Sequence, residues 1–178
     1  MRRALLAAAT VLALCAVAPG QDFQIPHEPE LSLFAGFGHT VKVNHGQTDA
    51  WVLEVEPQAA FRLGTRFQWL VEGHYTHWFD PDAWAAGLLP LGARYYFGTS
   101  RRSFYLDFLA GLGWTNLQVV EIDRRFNFIL TGGPGLRGQV DARHAWFVQA
   151  RWLHYSNAGT VRPNLGLNAA VVSGGWKF

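Results

Sequence analysis

From Leu31 to the terminal Phe178 the chain alternates apolar and polar residues with a period of two, and its charges keep to one parity. In the stretch Trp51–Leu63, Trp51, Leu53, Val55, Ala59, Phe61 and Leu63 share one face. Val52, Glu54, Glu56, Gln58, Ala60 and Arg62 share the other. Six further segments repeat the pattern at about Leu31–Val43, Phe67–Trp78, Leu88–Phe97, Ser103–Thr115, Phe126–Val140 and from Trp146 onward, and a last one ends on Phe178. Eight segments of roughly ten to fifteen residues are long enough to cross a bilayer when tilted.

Which face carries the charge decides the environment. Glu54, Glu56, Arg62, Glu72, Arg94, Asp107, Arg137 and Arg151 take one parity, and the large apolar side chains take the other. A soluble barrel has an apolar interior and a polar exterior. The reverse arrangement fits a wall whose outside meets lipid and whose inside pairs charges of opposite sign. In lipid every backbone amide needs an internal partner, which a closed barrel supplies. The expected fold class is therefore all-β, an eight-stranded antiparallel transmembrane β-barrel over 21–178. The alternative is a soluble lipocalin-like barrel or a two-sheet sandwich.

Composition supports the barrel. The chain has 8 Trp, 13 Phe and 19 Gly in 178 residues, with Trp51, Trp69, Tyr95, Trp114, Trp146, Trp152 and Trp176 near segment ends, where interfacial aromatics sit. A formal charge of +2 is too small to argue for nucleic acid. Residues 1–20 read as a signal peptide: Arg2 and Arg3, an apolar run from Ala4 to Val17, then Ala18-Pro19-Gly20 before Gln21. Cys15 lies inside that run and is the only cysteine, so thiolate chemistry and disulfides are not expected after cleavage.

Breaks between segments alternate long and short, which places long loops at one barrel end and tight turns at the other. A longer loop is expected around Phe79–Gly87, and Leu89, Leu91, Ala93, Tyr95 and Phe97 are expected to face outward. Gly132-Gly133-Pro134-Gly135 suggests a bulge or kink in the sixth strand. An even strand number puts both barrel ends of the chain on the side of the short turns, the periplasm, so the seventh strand runs outward.

The apolar parity of the last two strands carries polar residues where lipid contact is expected. Trp146, Val148, Ala150 and Trp152 continue to His154 and Ser156; counting back from Phe178 gives Trp176, Gly174, Val172, Ala170 and Asn168. Residues two apart on a strand share a face, so an imidazole lies within reach of a hydroxyl it can deprotonate. Asn168, across the hairpin, supplies a third group to orient the ring.

The string His154-Tyr155-Ser156-Asn157-Ala158-Gly159, followed by Pro163-Asn164-Leu165-Gly166, resembles the signature of the lipid A 3-O-deacylases (the PagL family). The motif spans about residues 150–178, and the barrel pattern extends the likeness across the rest. The resemblance implies an enzyme of the bacterial cell outer membrane, a carboxylic ester hydrolase that removes the acyl chain from the 3 position of lipid A in lipopolysaccharide. It implies Ser156 as nucleophile, His154 as general base, and Asn157 and Gly159 as candidate oxyanion-hole donors. The family's acidic member falls at Asn168, an amide here. An amide can orient an imidazole but supplies no charge for the imidazolium.

Arg162, in the same loop, reads equally as a contact to a lipid A phosphate or as a solvated charge. Asn157 and Asn164 also read as turn residues, and Gly159 and Gly166 as relief of backbone strain. The implied partners are lipid A and the lipids of the outer membrane. No metal and no organic cofactor is expected. The oligomeric state stays open, a homodimer included. His74, His77 and Asp80 invite a metal reading, but His74 and His77 have opposite parity and point to opposite sides. Glu54, Glu56 and Glu72 read as an ion network with the interior arginines. Two alternatives to the deacylase are a noncatalytic structural or adhesive barrel, and an enzyme acting on another acyl lipid, such as a phospholipase or palmitoyl transferase.

Overall fold

In the computed structural model, residues 28–43, 45–122, 125–160, 162 and 164–178 are described; the expected signal segment 1–20 lies outside them. The chain forms eight strands: β1 (Glu30–Thr40), β2 (Trp51–Arg62), β3 (Phe67–Phe79), β4 (Asp82–Tyr96), β5 (Arg102–Thr115), β6 (Phe126–Gln139), β7 (Ala145–Ser156) and β8 (Leu167–Lys177). Each pairs antiparallel with its sequence neighbour, and β1 pairs with β8 to close the barrel. Closure removes both sheet edges, so every strand has a ladder partner on either side.

The parity read from the sequence becomes inside and outside. Leu31, Leu33, Phe37, Trp51, Phe104, Leu106, Trp114, Val172 and Trp176 are exposed on the outer wall, while Glu54, Glu56, Glu72, Arg94, Asp107 and Arg151 are buried in the interior. Arg62, in contrast, sits at the barrel mouth, where it pairs with Glu30 at 2.6 Å.

Eight strands enclose a space that side chains fill. Phe34, Tyr96, Tyr105, Ala145 and Phe147 plug the end near the chain termini. Val52, Trp78, Leu89, Leu109, Ile129, Leu153 and Tyr155 belong to a second apolar cluster towards the other end. Between them lies an ionic band. Arg151 bonds Glu56, Glu72 and Asp107 at 2.9 Å each, and Arg94 shares Asp107 at 2.9 Å. The Arg94 guanidinium also lies 4.4 Å from the Tyr105 ring centre.

Three expectations are corrected. The loop around Phe79–Gly87 is instead a tight turn at Asp80–Pro81, and β4 begins at Asp82. Leu89 points inward and is fully buried, while Leu88 faces out. The cause is a bulge in β4: its pairing shifts register against both β3 and β5 around Pro90. Proline has no N–H for the ladder, so the strand inserts an extra residue there and its side chains change face. Conversely, Gly132–Gly135 holds one register with β5 from end to end, and the expected bulge is absent. Pairing between β6 and β7 does lapse there, passing from Gly132↔Trp152 to Gly135↔Gln149 in the same register.

Candidate functional site

His154 and Ser156 close the outward face of β7, and Asn168 opens β8 directly opposite His154 in the ladder. All three have the parity of the outer wall, at the barrel end away from the termini. The Asn168 side chain is the most enclosed, 6% exposed. It makes three hydrogen bonds. Its Oδ1 accepts from His154 Nδ1 at 2.8 Å and from Trp152 Nε1 at 3.1 Å, and its Nδ2 donates to the Gly166 carbonyl at 3.2 Å. With the amide oxygen as acceptor, the proton of neutral His154 sits on Nδ1. Nε2 then carries the lone pair, the tautomer a general base requires.

Ser156 is held differently. Its hydroxyl donates to Asn164 Oδ1 at 3.2 Å and accepts the Ala158 N–H at 3.0 Å; among the described residues His154 is not one of its hydrogen-bond partners. Asn164 Oδ1 also accepts the Asn157 N–H at 3.1 Å, and Asn157 Oδ1 accepts the Gly159 N–H at 2.9 Å. Both backbone donors named as oxyanion-hole candidates are thus engaged within their own loop. Arg162 is exposed in that loop.

Residues given no part in the chemistry by the sequence complete the arrangement. Asn164 ties Ser156 to the loop. Trp152 shares the Asn168 oxygen with His154. Gly166 has a left-handed backbone (φ 76°), and a Cβ there would lie 2.4 Å from His154 Cε1. The ring can occupy its position only because residue 166 has no side chain. The Asn164-Leu165-Gly166 string was the available sequence signal for this contact.

Glu121, in the loop 116–125, left no such signal, because its partners lie far away in sequence. Its carboxylate accepts from the Gln47 amide at 2.5 Å, the Thr48 amide at 2.8 Å and Thr48 Oγ1 at 2.6 Å. Its carbonyl accepts the Gly166 N–H at 3.3 Å, and neighbouring Ile122 forms a bridge with Asn164. Three loops are thereby joined around the residues that hold Ser156 and His154. Burial pushes the Glu121 carboxyl up, and the hydrogen bonds from Thr48 and Gln47 outweigh it, holding the group below its ordinary value.

An apolar groove of about 670 Å³ runs down the outer wall from His154, between Trp152, Leu130, Phe108, Leu106 and Tyr95. Gly132 and Gly133 line it where the β6–β7 pairing lapses. A Cβ at Gly132 would run into the Asp107 carbonyl, and one at Gly133 into the Ala150 carbonyl, so the strands can approach here only without side chains.

As their opposite parity implies, His74 and His77 do not come together with Asp80 as a metal set. His74 is buried inside, while His77 lies on the outer wall with Nε2 3.6 Å from Asp82.

A closed eight-stranded barrel with an apolar outer wall and a buried ionic interior is an outer-membrane β-barrel, and this one carries a serine, a histidine and an amide together on its lipid side. The family follows from the sequence match: residues 36–177 fit the lipid A 3-O-deacylase (PagL) family model, and the chain belongs to that family. It resides in the bacterial outer membrane.

Among solved structures, the chain is similar to the outer membrane enzyme PagL, with a TM-score of 0.65 and 17% identity over 81% of this chain and 97% of that one. It is equally similar to Neisserial surface protein A, with a TM-score of 0.66 and 15% identity over 84% of this chain and 95% of that one. At these identities the likeness is one of fold. No curated protein sequence matches the chain.

Proposed function

We propose that the protein is a lipid A 3-O-deacylase: a serine esterase that hydrolyses the acyl ester at the 3 position of lipid A in the outer leaflet. The observation that carries this reading is the Asn168–His154 pair beside Ser156, on the lipid side of the wall and at the head of an apolar groove. A substrate anchored in the membrane reaches such a site sideways, with its acyl chain in the groove and its ester at Ser156.

In the reaction, Ser156 Oγ leaves Asn164 and turns to His154 Nε2. Such contacts are commonly loose before substrate binds. Oγ attacks the ester carbonyl as Nε2 takes its proton. Asn168 holds Nδ1–H throughout, so the ring does not turn. The tetrahedral oxyanion needs N–H donors, and Asn157 and Gly159 serve once the loop bonds to Asn164 and Asn157 are exchanged. Collapse breaks the bond to the sugar oxygen, which receives the proton from Nε2 and departs as the 3-hydroxyl. Water, deprotonated by His154, then attacks the acyl-enzyme and releases a 3-hydroxy fatty acid with Ser156 restored. Arg162 contacts a lipid A phosphate from the loop above.

The chain is expressed in a Gram-negative host and lipid A is read by mass spectrometry. Wild type removes one 3-hydroxyacyl chain and Ser156→Ala removes none, with phospholipids unchanged in both. A second reading, a noncatalytic surface barrel, draws on the equal likeness to Neisserial surface protein A and on the absence of a Ser156–His154 bond among the described residues. It predicts that lipid A is unaltered by either protein.

A further inference from the structure

The ionic band inside the barrel does not balance. Glu54, Glu56, Glu72 and Asp107 are buried there against Arg94 and Arg151, four carboxylates against two guanidiniums. Glu30, Arg62 and Lys177 form a separate group at the mouth and do not compensate it. Arg151 and Arg94 engage Glu56, Glu72 and Asp107 at 2.9 Å, which leaves Glu54 as the unpaired acid. Neither Glu54 oxygen has a hydrogen-bond partner among the described residues, although its side chain is fully buried. An unpaired buried charge is strongly unfavourable, so Glu54 either carries a proton or meets a cation.

His74 stands beside it with an unused nitrogen. Nε2 lies 3.0 Å from the Tyr155 hydroxyl, and Nδ1 has no hydrogen-bond partner among the described residues. Nδ1 is 3.9 Å from both Glu56 Oε1 and Glu72 Oε1, and Nε2 is 3.9 Å from Glu54 Oε1. Donor atoms of Glu54, Glu56 and His74 all lie within 4.8 Å of one another. Donors on one zinc ion at about 2.0–2.1 Å stand roughly 3.3 Å apart. Bringing the three onto one ion takes side-chain movements of up to about 1.5 Å.

We propose that the barrel interior holds one divalent first-row cation, of the zinc or manganese class, between Glu54, Glu56 and His74. The ion supplies the two positive charges that the band lacks. Two carboxylates and one imidazole suit a first-row ion; calcium favours six to eight oxygens. The surroundings also suit a ligating histidine. When Nε2–H donates to the Tyr155 hydroxyl, the Nδ1 lone pair is left to the ion, while Arg151 and Gln149 hold Glu56 from behind. Tyr155 lies between His154 and Ser156 on the inward face of β7, so the ion braces the strand that bears both.

The test refolds the full chain from urea into detergent micelles with zinc, with manganese, with calcium or with EDTA. Metal content after desalting is measured by elemental mass spectrometry, and stability by thermal melting. Zinc or manganese is expected to remain at one ion per chain and to raise Tm above that of the EDTA sample, with calcium not retained. Glu54→Gln, of nearly unchanged shape, loses the ion and the Tm difference. His144→Gln, at an exposed histidine paired with Asp141, keeps both. The proposal is overturned if zinc and EDTA samples have equal metal content and Tm, or if the ion persists in Glu54→Gln. It is equally overturned if Glu54→Gln alone melts higher than the zinc-refolded wild type, because Glu54 is then merely an uncompensated buried charge.

Discussion

Replacing Asn168 by glutamate tests the weakest chemical element of the proposed site. Asn168 Oδ1 meets His154 Nδ1 at 2.8 Å, so a carboxylate there faces the imidazolium formed as Ser156 attacks. Two unit charges about 4 Å apart interact by about 4 kcal/mol at an effective dielectric of about 20. The existing neutral hydrogen bond contributes about 1 kcal/mol. The difference, about 3 kcal/mol, corresponds to roughly a hundredfold in rate. Trp152 Nε1 continues to donate to the new carboxylate, but the donor to the Gly166 carbonyl is lost. The expected result is therefore a rise in kcat of up to about a hundredfold, with KM little changed because residue 168 lies behind the imidazole. The assay is the time course of 3-hydroxy fatty acid release from lipid A in proteoliposomes, with heat-modifiable gel migration as the check on folding. An unchanged or lower kcat in a folded barrel refutes the assignment of Asn168 as the group that orients His154.

Other perturbations probe the supports. Gly166→Ala places a methyl 2.4 Å from His154 Cε1 on a left-handed backbone; it should cost about 1–2 kcal/mol in stability and lower kcat by about a hundredfold through ring displacement, measured by melting and by the same fatty-acid assay. Arg151→Met strips Glu56, Glu72 and Asp107 of their shared partner and should reduce unfolding free energy by about 3–5 kcal/mol in urea titration. The Glu121 carboxyl is held below its ordinary value of 4.5, so its stabilising contribution is full above that pH and is lost as pH falls through the lower folded value. Hydrogen exchange at the Gln47 and Thr48 amides, corrected for intrinsic rates, should rise over that acid range in wild type and show no such step in Glu121→Gln.

The strands show how far the period-two pattern reaches. Alternation in β2 needs only local geometry, since successive side chains leave a strand on opposite faces. It was therefore legible that Glu54, Glu56 and Gln58 share a face and that His154 and Ser156 share the other. β4 defeated the same reasoning, because the bulge at Pro90 reverses parity and sends Leu89 inward. The Phe79–Gly87 stretch reads as a loop, yet beyond the Asp80–Pro81 turn it is strand, paired with β3 from Asp82 and with β5 from Ala85.

By itself, then, the sequence determined a closed barrel with charges inside, and it placed His154, Ser156 and Asn168 on the outer wall near one end. Those facts follow from periodicity and from the chain order of neighbouring strands. Only the tertiary structure decided which atoms meet. Register set Asn168 opposite His154, loop folding turned Ser156 towards Asn164, and the missing side chain of Gly166 made space for the ring. Glu121 joined loops separated by 73 residues in the chain, and barrel closure brought His74 and Tyr155 together across 81. Contacts of that range depend on where the whole wall closes, which no local pattern encodes.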